Sequence, residues 1–470
     1  MENILRDLFQ EKFGFPARDV AMLKGDGSDR KIFRLKGGMK SAIGVVNEDA
    51  KENRAFIGFT RHFRKAKLPV PDIYAESPEG GAYLEEDLGN VTLFSLLSAK
   101  PEGAPIAESI LRFYRQAVKF LPRFQVQAGR TLNYSLCYPR ASFDAQSMLW
   151  DLNYFKYYFL TLARIPFHEQ ALENDFRRFI QYLMGADRRF FLYRDFQSRN
   201  IMVKNGAPYF IDYQGGRKGA LQYDIASLLY DAKADLPHEV RDELLRRYVS
   251  EIRKTARIGE ESFLRYYPGY VYIRIMQAMG AYGLRGFHQR KPHFLQSIPY
   301  AIRNIERLLR TTVLPVDCPE LLNVFKTLVA SSRLRQFGEA RLGLTVRIQS
   351  FSYRNGVPAD EHGHGGGFVF DCRALPNPGR LPRYAKMTGQ DAPVAAFLKK
   401  EPAVRKFLSH AEALLSGAVD NYKSRNFTDL FVAFGCTGGR HRSVYCAETV
   451  AEFLRRRKDV AVEISHRGEA

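Results

Sequence analysis

The run Tyr193-Arg-Asp-Phe-Gln-Ser-Arg-Asn200, followed by Ile211-Asp212-Tyr213, leaves the local backbone very few shapes to adopt. Its spacing predicts a loop from Asp195 to Asn200, a strand at Met202-Val203, a turn at Lys204-Asn205-Gly206 and a second strand at Tyr209-Phe210-Ile211. That hairpin brings Asp212 back beside Asn200. Phosphoryl transfer from ATP needs such a set: one carboxylate to take the acceptor's proton, and an Asn and an Asp to hold magnesium on the phosphates. Asp195 is the candidate catalytic base, and Asn200 and Asp212 are the candidate metal ligands. Asp and Asn also cap loops and turns, but the full string with its hairpin favours the catalytic reading.

The hairpin interrupts helical periodicity running from about 105 to 325. Leu172, Phe176, Phe179, Ile180 and Leu183 share one face, as do Val240, Leu244, Leu245, Tyr248 and Val249. Upstream, a leading helix precedes a Gly-rich turn in Leu23 to Leu35, strand Ser41–Val46, a helix from about Glu52 to Lys65, and a strand at Tyr83 running into a connection. A polar stretch of weak periodicity, Ser331 to Gly338, marks a boundary. Beyond it the pattern is β/α: strand Leu344–Phe351, a glycine-rich loop, strand Gly367–Asp371, a long helix at about 392–416, strand Leu430–Phe434, a helix at about 441–456 and a short strand near Val460–Ile464. The expected fold class is α/β and α+β. A bilobal, protein-kinase-like domain spans 1–330 (small lobe about 1–95, helical lobe about 96–330), and a smaller α/β domain spans 338–470.

Composition narrows the setting. No apolar run approaches the roughly 20 residues of a membrane span, and Met1-Glu2-Asn3-Ile4 opens an amphipathic helix without the layout of a secretory signal. The 5 cysteines are scattered, odd in number and without a Cys-x-x-Cys pair, which argues for a reducing cytoplasm and against a disulfide framework or zinc site. Net charge is +20, of which the residues from 338 onward supply +6 (20 basic, 14 acidic). An excess spread in this way suits anionic partners such as nucleotides, sugar phosphates or RNA, although a merely soluble basic surface explains it equally well.

The candidate nucleotide site draws on both ends of the small lobe. Gly25, Gly27 and Ser28 form a turn whose backbone N–H groups can approach ATP phosphates. Glu85 to Leu88, including Asp87, lie where a connection between lobes offers backbone hydrogen bonds to adenine. Asp224 reads as structural, a cap or a buried partner of the catalytic loop. Many kinases carry a lysine in the third strand, but Ser41–Val46 has none and Lys40 stands at its edge. Phosphate neutralisation then falls to Arg30, Lys31 or magnesium, or else the fold binds nucleotide as a pseudokinase.

On these residues the first 325 or so resemble the aminoglycoside-phosphotransferase/choline-kinase superfamily. Its core motif is usually His-Gly-Asp-x-x-x-x-Asn, and Arg194 stands here where glycine is common. The strings Arg-Asp-Phe-Gln-Ser-Arg-Asn-Ile-Met, Ile-Asp-Tyr-Gln and Tyr-Asp-Ile-Ala-Ser-Leu-Leu, with the Gly-Asp-x-Ser-x-Arg-x-x-Phe-Arg-Leu turn at 25–35, are similar to the anomeric kinases of N-acetylmuramate and N-acetylglucosamine. The resemblance implies ATP, magnesium (Mg2+) and a hydroxyl acceptor of the amino-sugar class.

A second candidate site lies at Gly435-Cys436-Thr437-Gly438-Gly439-Arg440-His441-Arg442-Ser443, between an apolar strand and an amphipathic helix. Glycine-rich backbone N–H groups and a helix N-terminus make an anion nest there, with Arg440 and Arg442 adding charge. Cys436 and Arg442 have the Cys-x5-Arg spacing of cysteine phosphatases, but Gly435 replaces the usual preceding His, so binding without covalent chemistry is the expectation. Asp371 and Arg373, ending another strand, face the same ligand on this reading. His362 and His364 hint at metal, yet they lie in a glycine-rich loop with no third ligand nearby.

Residues 340–470 resemble the C-terminal domain of the RNase adapter RapZ family through Val369-Phe-Asp-Cys-Arg-Ala-Leu-Pro-Asn-Pro378, Thr388-Gly-Gln-Asp391 and Gly435-Cys-Thr-Gly-Gly-Arg-His-Arg-Ser-Val444. That resemblance implies a phosphate-recognising α/β domain that senses glucosamine-6-phosphate and can bind small RNA. The family's usual P-loop half is replaced, because no Gly-x-x-x-x-Gly-Lys-Ser/Thr occurs. The combined expectation is a cytoplasmic sugar kinase tuned by a hexosamine phosphate, free of membranes, with a homo-oligomer left open. The rival is an RNA-binding or regulatory adapter whose kinase-like half only senses nucleotide. A third reading keeps the enzyme and changes the acceptor to an aminoglycoside, choline or a nucleoside. A cationic acceptor would predict a carboxylate-lined pocket in the helical lobe.

Overall fold

A computed structural model describes residues 2–23, 30–100, 104–337, 344–358, 367–424, 429–457 and 460–468. The chain separates into two units, Met1–Gly280 with Ile298–Arg335, and Ala281–Ser297 with Gln336–Ala470. Gly25, Gly27, Ser28, His362 and His364 lie outside the described residues.

In the first unit the helix Glu2–Phe13 precedes a five-stranded antiparallel sheet of order β1-β2-β3-β5-β4. The strands are β1 (Asp19–Leu23), β2 (Lys31–Gly37), β3 (Lys40–Val46), β4 (Ile73–Glu76) and β5 (Ala82–Glu86). Period-two alternation turns Phe33 and Leu35 of β2 inward, where they meet Ala42, Leu84 and the helix residues Leu5, Leu8 and Phe9. Full burial of each large apolar side chain contributes about 1.5–3 kcal/mol. The helix Ala50–Lys65 starts at Asp49, whose side chain accepts the N–H groups of Lys51 and Glu52, and it buries Phe56, Phe59 and Phe63.

The helical lobe holds the predicted hairpin. β6 (Phe190–Leu192) pairs with β9 (Arg217–Gly219), and β7 (Ile201–Lys204) pairs with β8 (Ala207–Phe210). All five residues of the first predicted face are buried on the helix Glu169–Met184. On His238–Thr255, Leu244, Tyr248 and Val249 are buried, whereas Val240 and Leu245 are half-buried. The polar stretch of weak periodicity read as a boundary contains a short helix, Ser332–Gln336. Leu334 is buried there and Arg335 donates to the carbonyl of Val329, two anchors too sparse to register as a period.

The second unit is built on a four-stranded parallel sheet of order β11-β12-β10-β13, from β10 (Leu344–Ser352), β11 (Gly367–Asp371), β12 (Asp429–Cys436) and β13 (Val460–Arg467). The long helix expected at 392–416 is two helices, Ala392–Lys400 and Pro402–Ser424. Pro402 is the reason: the residue before a proline avoids the helical region, and Glu401 is extended at ψ 119°. Among the described residues no helix is long and apolar enough to cross a membrane.

Candidate active site

After Leu192 the backbone turns sharply, and Arg194 sits at φ 84°, a left-handed conformation that is costly for any residue but glycine. Contacts on every side hold it there. Asp224, fully buried on the helix Leu221–Leu229, accepts the backbone N–H groups of Tyr193 (2.8 Å) and Arg194 (3.0 Å). Gln125 donates to the same carboxylate at 2.7 Å. Burial pushes the Asp224 carboxyl up to about 7 against the pull of these hydrogen bonds. The Arg194 guanidinium donates to both oxygens of Asp151 (2.8 and 2.7 Å) and to the Tyr223 hydroxyl (2.7 Å). It also lies over the rings of Phe143 and Tyr223.

The loop so fixed delivers Asp195. Its carbonyl accepts from Asn200 Nδ2 at 2.9 Å, closing the loop on itself. Burial and then the charge of Asp212 push the Asp195 carboxyl up, while Arg194, Arg274 and Arg217 pull it down. A carboxylate with raised proton affinity is suited to accept a proton in a transition state.

The hairpin sets Ile201 opposite Phe210 and returns Asp212, at φ 68°, to within 3.1 Å of Asn200 Nδ2. The Asp212 carboxylate also accepts from Gln214 (2.9 Å) and from Arg30 (2.8 Å). Next to it, Tyr213 stacks on Phe56 with ring centroids 5.0 Å apart, and its hydroxyl meets that of Thr60 at 2.6 Å. The Asp212–Tyr213 turn is thereby joined to the helix Ala50–Lys65. A carboxylate beside an amide carbonyl, with a second carboxylate near enough to repel it, is an oxygen donor set that suits magnesium. Among the described residues no group of three or more His, Cys, Asp or Glu side chains forms a closed metal cage. An ion held by few protein oxygens and by phosphates fits this site.

The small lobe contributes Arg30, just before β2, with Glu52 4.0 Å away. Burial works against its charge, but Asp212, with Tyr83 and Glu52, more than offsets it and the guanidinium is held above its ordinary range. Lys40 opens β3 and is exposed. Glu85 pairs with Ile43 in the sheet, and its Oε2 is buried without a hydrogen-bond partner among the described residues. Burial raises its carboxyl to about 8, against the opposing pull of Arg30. Asp87 accepts from Ser41, from Arg34 (2.9 Å) and from the Gly89 N–H (2.9 Å). Burial pushes that carboxyl up, yet these contacts together hold it below the usual range. The Asp87 carboxylate is thus committed to the connection itself.

In the second unit the loop after Cys436 sits at the carboxyl ends of β10 and β12, where the strand order reverses and open α/β sheets leave a crevice. Ser352 donates to the carbonyl of Thr437 at 2.8 Å. Gly439, at φ 62°, passes so close to β10 that a Cβ would stand 2.7 Å from the Ser352 nitrogen. Thr437 and Arg440 are exposed, Gly438 is half-buried, and the His441 ring lies 3.0 Å from the carbonyl of Tyr384. Arg442 is turned inward: it is buried and donates to the carbonyls of Arg373 (2.7 Å) and Leu375 (2.9 Å). Arg373 pairs with Asp371 at 2.7 Å and lies 3.8 Å over the Tyr353 ring. Cys436 is 4 % exposed with its Sγ 3.1 Å from Ser443 Oγ. Burial pushes the thiol up, but the Ser443 contacts and Arg442 bring it below its ordinary value. Cys436, Arg442 and Ser443 thus lie beneath the surface of the loop, whereas Thr437 and Arg440 stand on it.

The motifs did not point to Asp151, Arg217 or Arg274, which come from distant helices and a short strand, and they included Tyr223 without giving it a role. One signal was available, since an arginine where glycine is usual requires an acidic partner.

Residues 19–258 match the phosphotransferase enzyme family, and residues 344–469 match the RapZ C-terminal domain. The second region is 42% identical over 125 residues to the RNase adapter protein RapZ of Sodalis glossinidius (strain morsitans) and 41% identical to that of Escherichia coli O139:H28. Each alignment covers 27% of this chain and 42% of the relative, so the chain spans less than half the length of these curated relatives. Among solved structures, an amicoumacin kinase in complex with AMP-PNP, Ca2+ and Ami is 13% identical with a TM-score of 0.45, covering 68% of this chain and 97% of that one. Choline kinase LicA from Streptococcus pneumoniae is 17% identical with a TM-score of 0.42, covering 66% and 98%.

Proposed function

The chain belongs to the phosphotransferase enzyme family, and on that premise we propose that its first unit transfers the γ-phosphoryl group of ATP to a hydroxyl of an amino sugar, of the N-acetylglucosamine or N-acetylmuramate type. The observation that supports this is the meeting of Asp195, Asn200 and Asp212 in one loop and hairpin, with Arg30 on the Asp212 carboxylate. Asp195 takes the acceptor's proton as that oxygen attacks the γ-phosphorus, and the bond to the bridging oxygen breaks to release ADP. Arg30 serves the phosphates in place of a third-strand lysine. Asp224 and the Arg194–Asp151 pair keep the base in position. Asp212 and Asn200 would hold magnesium, which when bound offsets phosphate charge.

The second unit, on this reading, binds a hexosamine phosphate at the Thr437–His441 loop and regulates the first, both acting on one cytoplasmic pool of metabolites. The test is ADP release from ATP and magnesium across N-acetylglucosamine, N-acetylmuramate, glucosamine, choline and an aminoglycoside, with Asp195→Asn as control. Turnover with an amino sugar that the variant abolishes supports the proposal. Silence across the panel with ATP still bound favours the alternative, a regulatory adapter that binds RNA, which the identity of the second region to RNase adapter proteins makes the natural rival.

A further inference from the structure

Three of the 5 cysteines converge beneath the loop that follows β12. Their placement follows from strand register. β11 and β12 run parallel, with Phe370 opposite Phe434 and Asp371 opposite Gly435, and the two phenyl rings stack with centroids 5.0 Å apart. The ladder continues for one more residue, because the Cys372 N–H donates to the Gly435 carbonyl at 2.8 Å. In a parallel pair that bond sets Cys372 opposite Cys436, and the period of two turns both thiols to the face that carries Phe370 and Phe434. Cys446, on the helix Arg442–Arg455, packs into the same apolar cluster, and its thiol hydrogen-bonds with that of Cys372.

The three thiols are chemically unequal. Cys436 directly precedes the exposed Thr437, with Ser443 Oγ 3.1 Å from its Sγ and the backbone N–H groups of Ser443 and Arg440 donating to the sulfur. Such donors favour the thiolate, which is the form that oxidants attack. Cys372 is fully buried. Its hydrogen bond with Cys446, then burial and the charges of Cys446, Cys436 and Asp371, raise its thiol well above the ordinary value. One sulfur is thus poised to react, while its neighbour on the next strand keeps its proton. Neighbouring strands lie about 4.8 Å apart, inside the roughly 4.4–6.8 Å range of Cα separations that a disulfide spans.

We propose that Cys436 and Cys372 form a reversible thiol switch: hydrogen peroxide oxidises Cys436, Cys372 closes a disulfide on it, and the bond draws the Cys436 sulfur away from Ser443 and the loop out of its anion-binding shape. The Cys436 thiolate attacks one peroxide oxygen, the O–O bond breaks and hydroxide leaves. Sulfur gives up two electrons to the peroxide and becomes a sulfenic acid. This removes the Cys436 charge that helps to hold the Cys372 proton in place. The Cys372 sulfur then attacks the Cys436 sulfur. The S–S bond forms as the S–O bond breaks, and the hydroxyl departs with the Cys372 proton as water. A dithiol reverses the change by thiol–disulfide exchange, and in a reducing setting such a bond is transient. The effect on ligand rests on the hexosamine phosphate reading above; the bond itself does not.

The test treats the full chain with hydrogen peroxide and maps its linked peptides by mass spectrometry under non-reducing conditions. Two of the 5 thiols are expected to resist alkylation after unfolding, with a Cys372–Cys436 linked peptide that dithiothreitol removes. Amide hydrogen exchange reads the loop without any ligand. Oxidation should quicken exchange at Arg440 and Ser443 by roughly tenfold or more, the loss of one hydrogen bond to a charged group. Calorimetry should show affinity for glucosamine-6-phosphate weakened by a similar factor. Cys446→Ala should keep the bridge, and Cys372→Ala should stop at a Cys436 sulfenic acid that dimedone traps. Melting curves of the reduced variants identify one that has misfolded, and the wild-type peptide map stands without them. The proposal is overturned by 5 intact thiols, by a bridge that uses Cys446 in place of either partner, or by sulfinic acid at Cys436 with no bridge. A bridge that leaves exchange or a measurable affinity unchanged overturns it as well. A bridge with faster exchange, in a chain that binds no glucosamine-6-phosphate in either redox state, upholds the switch and removes the hexosamine phosphate reading.

Discussion

Arg30 reaches from the small lobe to place its guanidinium 2.8 Å from an oxygen of Asp212. The third strand carries a lysine only at its exposed first residue, Lys40, and this contact shows where a cation meets the Asp212 carboxylate instead. Replacing Arg30 with Met is expected to lower kcat/KM for ATP roughly 10- to 100-fold, the equivalent of one hydrogen bond to a charged group. Lys at this position should restore part of the loss. Unaltered ATP kinetics in Arg30→Met would show that another group carries the phosphate charge.

Asp195→Asn removes the proton acceptor and keeps the shape. The expected loss in kcat is about 10²–10⁴-fold, with affinity for an ATP analogue retained in a calorimetric titration. Turnover at the wild-type rate would take Asp195 out of the base role.

Asp224 accepts two backbone N–H groups and the Gln125 amide with its two oxygens. Asparagine offers one oxygen and turns an NH2 group toward a donor. Asp224→Asn should therefore cost about 1–3 kcal/mol of stability and lower kcat through a loosened loop. Thermal melting and ADP release read the two effects separately, and a variant with an unshifted melt and full rate would show that the loop does not depend on this carboxylate.

Two raised carboxyls give stability a pH slope. Burial puts Glu85 at about 8 and Asp224 at about 7, both above their unfolded values. The stability they allow is fully present below pH about 4 and is lost as pH rises through 7 and 8, because the unfolded chain gives up these protons first. Each pH unit in which only the unfolded chain is ionised costs about 1.4 kcal/mol per group. Glu85→Gln should thus melt like wild type near pH 4 and above it near pH 8.5. Parallel melting curves across that range would mean that Glu85 is ionised in the folded protein at neutral pH.

The two arginines of the second loop should separate cleanly. Arg442→Ala strips the donor from two carbonyls in the loop after β11 and is expected to destabilise the second unit by about 1–3 kcal/mol. Arg440→Ala should leave the melt in place and weaken binding of glucosamine-6-phosphate, as measured by calorimetry. The reverse pattern would place the ligand against Arg442.

Much of this was legible in the chain because it was local. Asp195, Asn200 and Asp212 sit within one loop and hairpin, so spacing alone brings them together, and the strand at Gly367–Asp371 has the bounds its alternation implies. Pro402 marked a helix break that length and apolar content concealed. The rest depended on distant pairs. Asp151 meets Arg194 across 43 positions and Arg274 meets Ser227 across 47, separations over which no periodic pattern carries information. Arg442 belongs with these for a related reason, since its spacing from Cys436 says nothing of the carbonyls 67 and 69 residues earlier to which it donates.

The Arg194–Asp151 pair also bears on how such a chain can change over generations. Replacing Arg194 with glycine would ease a backbone held at φ 84° but would strand Asp151, 7 % exposed, without its counter-charge. Losing Asp151 first leaves a guanidinium on strained backbone with the Tyr223 hydroxyl and two aromatic rings but no carboxylate paired to it. Each single step runs downhill in stability, so the two residues form an epistatic unit that descends or disappears together. In any lineage that keeps this loop they should co-vary.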